Sequence, residues 1–486
     1  MAGGADLDEP PRQSDNTTDR KRPSESTHET DPADAPRDRS GNKTYDVSKL
    51  EPARKRQRSK SPGGDAAPRK LKRPGARATI SEADRKAARE RALERERLAR
   101  EAAIADEERQ QINDVVKAHY NAVPERGRDW RKTDSRIKGL RSFNNWIKSC
   151  IIQKFSPDED HQPGRGGGPS ILVLDMGCGK GGDLGKWQQA PQHVELYVGM
   201  DPADVSIDQA RDRYRSMSSR GGRGGRGGRG GGRGPARLFE ARFHVKDCFG
   251  EPINDIDIIR QVGFESGPHG GGRGFDVVSM MFCMHYAFET EQKARQMLKN
   301  VAGALRKGGR LIGAIPNSDV ISTKVREHNA RMAGIKKKQA EAEDGSKKDD
   351  GGDAEEGELD EPEVEKSAEW GNDIYRVRFP GKTPEDGIFR PPFGWKYNFF
   401  LHEAVEEVPE YVVPWEAFRA LAEDYNLELQ WHRSFKEIWD QEKDDRTLGP
   451  LSERMHVRDR STGDLLVSPE ELEAANFYVG FCFYKV

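Results

Sequence analysis

From residue 171 onward, short runs of apolar, β-branched and aromatic residues alternate with longer segments that suit helices. This alternation predicts strands separated by helices, and therefore a parallel sheet. The first series of predicted strands spans residues 171–175, 195–200, 241–246, 275–282 and 310–315. A second series follows at longer intervals, near residues 374–379, 396–401, 427–434 and 476–484. The pattern predicts a doubly wound α/β sheet, mostly parallel, with an antiparallel pair at its C-terminal edge.

The chain upstream of these strands has a different character. Residues 81–109 alternate Arg, Glu and Ala without Gly or Pro, which predicts a charged helix supported by i,i+4 pairs. The first amphipathic helical pattern begins near Gln111. Residues 1–80 are rich in Asp, Pro, Ser, Arg and Lys and nearly free of aromatic residues, so we expect disorder there. We therefore expect a disordered, charged region over residues 1–110 and one folded domain over residues 111–486.

The composition is too polar for a single globule, because hydrophobic and charged residues each make up 34% of the chain. The net charge of −2 conceals a net +7 over residues 1–100 and a net −10 over residues 341–366. Low-complexity insertions separate the predicted elements at residues 219–234, 266–274 and 331–366. The first is an Arg-Gly-Gly repeat, which suits either RNA contact or a tolerated loop expansion. No apolar run is long enough to span a bilayer, so we expect no membrane partner.

Two basic clusters in the N-terminal region, residues 54–60 and 69–73, are spaced like a bipartite nuclear import signal. A solvated basic tail is the alternative interpretation. We predict a nuclear location.

The five cysteines are scattered and form no C-x-x-C pair. Zinc sites and disulfide frameworks both require closer and more regular spacing. We therefore expect reduced, mostly buried thiols and no metal site. The cysteines are Cys150, Cys178, Cys248, Cys283 and Cys482.

A glycine-rich loop follows the first predicted strand, with the sequence Asp-Met-Gly-Cys-Gly-Lys-Gly-Gly from Asp175 to Gly182. Gly177, Gly179 and Gly182 match the spacing G-x-G-x-x-G, by which α/β sheets present backbone to a nucleotide cofactor. A side chain at these positions would hold the ligand away from the main chain. The acid two residues before the first glycine favours a loop around the amino-acid end of S-adenosylmethionine over one that binds a pyrophosphate.

Acidic residues end the next two predicted strands. Asp201 closes the second strand, where a carboxylate accepts hydrogen bonds from ribose hydroxyls. Asp247 closes the third strand, where it can accept from the adenine amino group. Residues 279–286 follow the fourth strand and would face the reactive methyl group. Carboxyl ends of parallel strands meet at one edge of a sheet, so the sequence predicts a nucleoside methyl-donor pocket there.

The chain resembles the eukaryotic mRNA cap guanine-N7 methyltransferase family over residues 111–486, apart from the insertions. The segments that carry the resemblance are 141–149 (RSFNNWIKS), 174–184, 201–206, 282–289 (FCMHYAFE), 316–318, 408–414 (VPEYVVP) and 477–481. The Phe-Asn-Asn-Trp-Ile-Lys-Ser and Cys-x-His-Tyr-x-Phe-Glu strings are highly specific in combination. The resemblance implies a Rossmann-like methyltransferase sheet, transfer of a methyl group to N7 of the cap guanosine, and S-adenosylmethionine as the cofactor.

The resemblance also implies the site residues. Those that contact the cofactor are Lys148, Gly177, Asp201, Asp247, Met281 and Tyr286. Those that bind the mRNA cap are Asn144, Asn145, Lys180, Lys186, Arg213, His285, Glu410 and Tyr478. Met281 departs from the family pattern, which has glutamine there, so the resemblance implies that a side-chain hydrogen bond to the cofactor is lost or replaced by one from the backbone. The implied partner is the capped 5′ end of nascent mRNA; the other capping enzymes and the phosphorylated tail of RNA polymerase II are left open.

Guanine N7 carries an in-plane lone pair and no proton, so we expect no residue to act as a general acid or base. Orientation and proximity would supply the rate enhancement. Other interpretations are a methyltransferase for another RNA or a small molecule, a non-catalytic RNA-binding scaffold, and an NAD-dependent dehydrogenase. The intact acids at Asp175, Asp201 and Asp247 argue against the scaffold. The lack of a second domain with a catalytic His/Arg pair disfavours the dehydrogenase.

Overall fold

The structure is a computed structural model. It describes residues 133–161, 169–221, 238–265, 272–346 and 367–486, together with 114–122, 130 and scattered positions from 86 to 97. All of these residues belong to one unit, Ser81–Val486. The predicted disorder of residues 1–80, both basic clusters and most of each insertion lie outside the described residues.

The central sheet has seven strands. Five of them run parallel and confirm the first predicted series: β1 (Ile171–Met176), β2 (Val194–Asp201), β3 (Glu240–Val245), β4 (Phe275–Met281) and β5 (Leu305–Pro316). Two late strands, β10 (Leu427–Ser434) and β11 (Tyr478–Lys485), extend the sheet beyond β5. β11 is antiparallel to both β5 and β10, which confirms the predicted antiparallel edge. The strand order is β10-β11-β5-β4-β1-β2-β3, so the chain reverses direction across the sheet beside β1.

Helices cover both faces of this sheet. They are α1 (Lys138–Phe155), α2 (Leu184–Gln188), α3 (Asp204–Gly221), α4 (Asp257–Val262), α5 (Glu291–Ala304), α6 (Ser318–Ser346), α7 (Trp415–Glu423), α8 (Phe435–Glu442), α9 (Leu448–Arg454) and α10 (Pro469–Ala475). A 3₁₀ turn, Met284–Glu289, follows β4. The serines Ser434 and Ser468 form capping boxes that begin α8 and α10, as their Ser-x-x-Glu sequences favour. Among the described residues, no helix is long and apolar enough to cross a membrane.

A second, antiparallel sheet was not predicted. It consists of β6 (Glu369–Gly371), β7 (Tyr375–Arg378), β8 (Lys396–Leu401) and β9 (Val405–Tyr411). The sequence predicts β7 and β8 but neither β6, which is only three residues long, nor β9. β9 carries two exposed glutamates followed by four buried residues, so it lacks the alternation by which half-buried strands are recognised.

The hydrophobic core lies on both faces of the central sheet. Ile171 and Val173 of β1 pack on the face that carries α1, and Leu174 and Met176 pack on the opposite face. A buried hydrogen bond anchors α1 to the start of α9, because Trp146 Nε1 donates to the Leu448 carbonyl at 2.9 Å. All five cysteines are buried and free of disulfides, as predicted. The result is a rigid frame whose carboxyl strand ends are left open between α1 and the helices that follow β1 and β2.

The structure confirms the helical patterns upstream of the sheet and modifies the prediction for one insertion. Residues 114–122 are helical, in agreement with the amphipathic pattern, and the described positions between 86 and 97 are helical too. The insertion predicted at 331–366 begins as ordered structure, because α6 continues to Ser346. The basic half of that segment, which contains three consecutive lysines, therefore extends a helix rather than forming a loop.

Candidate active site

A large cleft opens at the carboxyl ends of β1, β2, β3 and β4 and has a volume of about 1870 Å³. Ten of the fourteen site residues predicted from the resemblance line it: Asn145, Lys148, Gly177, Lys180, Lys186, Asp201, Arg213, Asp247, Met281 and Tyr286. The remaining four, Asn144, His285, Glu410 and Tyr478, do not line it. The six residues predicted to contact the cofactor are thus brought together in the cleft. Of the eight predicted cap residues, four line the cleft and four do not.

The glycine loop folds back over the end of β2. The Gly177 amide donates to the Met200 carbonyl at 2.8 Å, and Gly177 has φ +76°. A Cβ on Gly177 would lie 2.6 Å from Cys283 Sγ, so no other residue fits without displacing that side chain. Gly179 has φ +50°, and a Cβ placed there would meet no atom within 4 Å. The loop therefore presents bare backbone to open space, which is the cradle that the predicted cofactor needs.

Two carboxylates stand beside this cradle. Asp201 accepts from the Gly179 amide on Oδ2 and from the Ala203 amide on Oδ1, both at 2.9 Å. Burial raises the pKa of Asp201 above its usual range. Asp247 accepts from two backbone amides on Oδ1, while its Oδ2 makes no hydrogen bond to any described residue. Both acids keep lone pairs toward the cleft, so the donor set fits a nucleoside cofactor with ribose hydroxyls and an amino group.

A chain of buried ion pairs links α1 to the loop. Asp183 Oδ2 lies 2.9 Å from Lys148 Nζ, and its Oδ1 lies 2.8 Å from Lys186 Nζ. Lys186 also donates to Asn145 Oδ1 at 2.8 Å. Burial opposes the charge on Asp183, but the two ammonium groups outweigh it and hold the pKa of the carboxyl well below its usual range. Asp183 thereby joins a predicted cofactor residue to two predicted cap residues, a role that the sequence alone does not reveal.

Asp175 lies beneath the glycine loop and is 2% exposed. The hydroxyl of Tyr197 donates to its Oδ2 at 2.7 Å. Burial, and secondly the negative charge of Asp183, raise the pKa of Asp175 to about 7. This acid therefore supports the loop from below and is not a surface ligand of the cleft.

Three predicted cap residues form a buried cluster behind the cleft. His285, Glu410 and Tyr478 are 2%, 4% and 7% exposed. His285 Nε2 lies 3.4 Å from Glu410 Oε1, and neither nitrogen of the His285 ring makes a hydrogen bond to a described residue. The hydroxyl of Tyr397 donates to Glu410 Oε2 at 2.8 Å. Tyr478 packs edge-on against Phe282, with 4.8 Å between ring centroids.

Asn144 does not line the cleft, whereas Met281 forms part of its wall. Asn144 is half-buried, and its Oδ1 has no hydrogen-bond partner in the described part of the chain. Met281 ends β4 and is 6% exposed, and its side chain contributes to the wall of the cleft. The next residue, Phe282, has φ +65°, a conformation that bulky residues rarely adopt and that marks the turn as constrained. Lys148 Nζ lies 5.2 Å from the centre of the Phe282 ring.

Tyr120 is a cleft residue that the sequence analysis did not identify. It comes from the helical residues 114–122, and its hydroxyl lies 2.9 Å from that of Tyr286. Burial, and secondly the charge of Glu410, raise the pKa of Tyr120. Asn121 holds the segment in place by donating to Asp204 Oδ1 at 2.9 Å. The Tyr120 and Tyr286 rings thus close the cleft on the side of the buried cluster. The nearest signal in the sequence is the amphipathic pattern, which does not distinguish Tyr120 from a core aromatic.

Similarity to known proteins agrees with this geometry. A family model described as the mRNA (guanine-N(7))-methyltransferase domain matches residues 103–342 and 358–486. The mRNA cap guanine-N(7) methyltransferase of Pyricularia oryzae is 96% identical over 486 residues and covers all of both chains. The protein of the same name from Aspergillus clavatus is 60% identical over 409 residues, 79% of this chain and 71% of that one. The one from Schizosaccharomyces pombe is 43% identical over 379 residues, 78% and 84% respectively.

Among solved structures, an S-adenosylmethionine-dependent methyltransferase from Clostridium acetobutylicum aligns over 74% of this chain and 96% of its own. Its sequence identity is 11% and its TM-score is 0.34.

Proposed function

The chain belongs to the mRNA (guanine-N(7))-methyltransferase family, and from this premise we propose that it transfers a methyl group from S-adenosylmethionine to N7 of the cap guanosine of mRNA. The observation that carries this proposal is the position of Tyr286 between two groups of predicted site residues. Tyr286 lines the cleft together with the glycine loop, Asp201 and Asp247, and its ring centroid lies 4.4 Å from that of His285, which faces Glu410. A nucleoside cofactor and a purine base would meet there.

The residues that would hold the cofactor are Lys148, Gly177, Asp201, Asp247, Met281 and Tyr286. S-adenosylmethionine supplies a methyl group that its sulfonium already activates. The chain's own residues have three tasks: to fix the guanine plane, to neutralise the phosphates and to keep water away. Phe282 and the hydrogen-bonded pair of Tyr120 and Tyr286 suit the exclusion of water, because they line the cleft with aromatic rings.

Three cations that line the cleft suit the triphosphate of the cap. Lys180, Lys186 and Arg213 line the cleft, and Arg213 Nη1 also donates to the Gly181 carbonyl at 3.4 Å. Positive side chains neutralise phosphate oxygens through charge-assisted hydrogen bonds. Lys186 is already oriented by Asp183 and Asn145, so a phosphate would meet a fixed ammonium group.

Glu410 would recognise the guanine edge, since a carboxylate accepts from both N1–H and the 2-amino group. Its charge would also stabilise the cation that N7 methylation creates. Because Glu410 is 4% exposed, contact with guanine needs a neighbouring side chain to move aside. Tyr120 is the candidate for this movement, because its segment is held to Asp204 largely through exposed contacts. No proton leaves N7, so His285 and Glu410 would act by hydrogen bonding and charge, without general acid or base catalysis.

The test is incubation of the full chain with GpppA-capped RNA and labelled S-adenosylmethionine, followed by nuclease digestion and identification of the labelled nucleotide. We expect the label in 7-methylguanosine alone. The proposal would be rejected in favour of another acceptor if the label appeared in a ribose 2′-O-methyl group or in an internal base, or if the RNA remained unlabelled. Uncapped RNA of the same sequence is the matched control.

We further propose that this function is exercised in the nucleus, on the capped 5′ end of nascent mRNA. The basic clusters at residues 54–60 and 69–73 are the basis for that location. Deletion of residues 1–80 in a fluorescently tagged chain should abolish nuclear accumulation and leave methylation of short capped RNA intact. An unchanged nuclear signal would remove the clusters from this role. Contact with the other capping enzymes or with the phosphorylated polymerase tail stays open.

A further inference from the structure

The cleft continues beyond the residues assigned to the cofactor and the cap. One face of α1 lines the cleft. Its side chains there are spaced three or four residues apart, at Lys148, Asn145, Ser142 and Lys138. Lys138 lies about 10 Å along the helix axis from Asn145. The end of α9 and residues 465–467 line the same cleft, and residue 466 lies close to the start of α1, because a Cβ on Gly139 would be 2.9 Å from the Leu466 carbonyl oxygen. We call this region the distal arm; it is lined by Lys138, Ser142, Arg454, Met455, His456 and Leu466.

The size of the cleft leaves room for more than a cofactor. Sites for small molecules and cofactors enclose about 300–1,000 Å³, and this cleft measures about 1870 Å³. The residues of the distal arm line the same cleft but are not among the predicted cofactor and cap residues.

Two cations of the distal arm have no acidic partner among the residues that the structure describes. Lys138 and Arg454 are exposed, and neither makes an ion pair or a side-chain hydrogen bond within the described part of the chain. The other cations of α1 differ, since Arg141 lies 3.7 Å from Glu403 and Lys148 is paired with Asp183. Two unpaired cations facing one cleft indicate an anionic ligand rather than a structural network.

The remaining groups of the arm suit nucleotide bases. Leu466 is 45% exposed, Met455 is half-buried, and the His456 ring is exposed beside them. Single-stranded nucleic acids bind where cations follow the backbone and where planar or apolar groups receive the bases. The cations and the apolar groups of the distal arm together therefore suit a single-stranded RNA.

We propose that the distal arm binds the first transcribed nucleotides of the capped RNA, with Lys138 and Arg454 against their phosphates and His456 and Leu466 beside a base. This inference rests on the proposed function, because the triphosphate of a cap continues covalently into the RNA. The RNA must then leave the cleft next to the phosphate-binding cations, and α1 leads from these to the distal arm.

The test compares two acceptors, the dinucleotide GpppA and a ten-nucleotide RNA with the same cap. The variant is Lys138→Glu/Arg454→Glu, and the matched control is Lys299→Glu/Arg446→Glu. The control changes the charge by the same amount at exposed positions outside the cleft. We expect the first variant to raise KM for the ten-nucleotide RNA by about tenfold or more and to leave kcat/KM for GpppA within about twofold. The salt dependence of RNA binding should weaken by about 0.7 per lost phosphate contact in a log–log plot.

The outcomes separate this inference from the proposed function. If the wild-type chain methylates neither acceptor at N7, the proposed function fails. If it methylates both and the variant keeps the control's KM for the ten-nucleotide RNA, the distal arm does not bind RNA and is open to another anionic partner, such as an acidic protein segment. Loss of GpppA turnover in both this variant and the milder Lys138→Gln/Arg454→Gln would also reject the inference, because the residues would then support the fold or the cap site.

Discussion

Asp183 and Lys148 form a buried ion pair, 2.9 Å between Oδ2 and Nζ, that ties α1 to the glycine loop. The Asp183 side chain is 8% exposed and also holds Lys186. Removing one partner of a buried charge network leaves the others uncompensated, which costs about 3–5 kcal/mol. The relationship bears on the proposed function because Lys148 is predicted to contact the cofactor and Lys186 is predicted to bind the cap.

Asp183→Asn should lower the free energy of unfolding by about 3 kcal/mol at pH 7 and weaken the binding of both substrates. The measurement is guanidinium denaturation together with cofactor and capped-dinucleotide affinities. Asp208→Asn is the matched control, because Asp208 forms an exposed i,i+3 pair with Arg211 and such pairs contribute little. Equal stability of the two variants would show that the Asp183 network is not a stabilising element.

Asp175 should make stability depend on pH. Its pKa is raised to about 7 in the folded chain, against about 3.9 when unfolded. The folded state therefore holds more protons between these values, and its stability falls as the pH rises from about 4 to 7. Asp175→Asn should remove this dependence. Between about pH 4 and pH 7, the free energy of unfolding of the variant should therefore rise relative to that of wild type by on the order of 3 kcal/mol.

Unfolding free energies of both chains at pH 4.5 and pH 8 measure this effect. Tyr197→Phe serves as the control, because it removes the hydroxyl that donates to Asp175 but keeps the carboxyl. Parallel pH profiles for wild type and Asp175→Asn would contradict a raised pKa.

Asp201→Ala should weaken S-adenosylmethionine binding by about 2–3 kcal/mol, because charge-assisted hydrogen bonds to ribose would be lost. The structure adds a second cause, since Asp201 also accepts from the Gly179 amide and orders the loop. Asp201→Asn keeps one acceptor and the shape, so we expect a loss between those of alanine and wild type. Calorimetry measures the dissociation constants. Asp212→Ala, at an exposed position on α3, is the control, and wild-type affinity in a folded Asp201→Ala would reject the ribose role.

Glu410→Gln should lower kcat/KM for a capped dinucleotide by about 10²-fold, or about 2.7 kcal/mol. The amide would present a donor where guanine also donates, and it would not offset the cationic product. Cofactor affinity should not change. Glu407→Gln on the same strand is the matched control, because Glu407 is exposed and pairs with Arg378. Wild-type kinetics would remove Glu410 from the site, and an equal loss of cofactor affinity would make its role structural.

The sequence predicted the centre of the main sheet well because β1, β2, β4 and β11 are mostly buried and are rich in apolar residues. It also placed the acids Asp201 and Asp247 together, since parallel strands end at one edge. It missed β9, whose exposed glutamates hide the strand pattern, and with it the second sheet that supports Glu410. Local pattern cannot supply such pairings, because they depend on which surfaces meet after the chain has folded.

The candidate site, like the fold, could be predicted from the sequence only in part. The family resemblance names His285, Glu410 and Tyr478, but only the structure reveals that they are buried and that Tyr397 completes the cluster. Asp183 lies 35 positions from Lys148, so no local spacing reports their contact. The assignment of each residue to cofactor or cap remains a prediction, which the variants above can test.

The place of β11 has a consequence for folding kinetics. This strand lies between β5 and β10, and it pairs Tyr478 with Pro316, which is 162 positions earlier. Strand pairs that close such long loops form slowly. Until β11 arrives, β5 presents an open apolar edge that invites pairing between chains. Lower temperature or slower synthesis during expression should therefore raise the soluble yield, because fewer chains would meet while that edge is open.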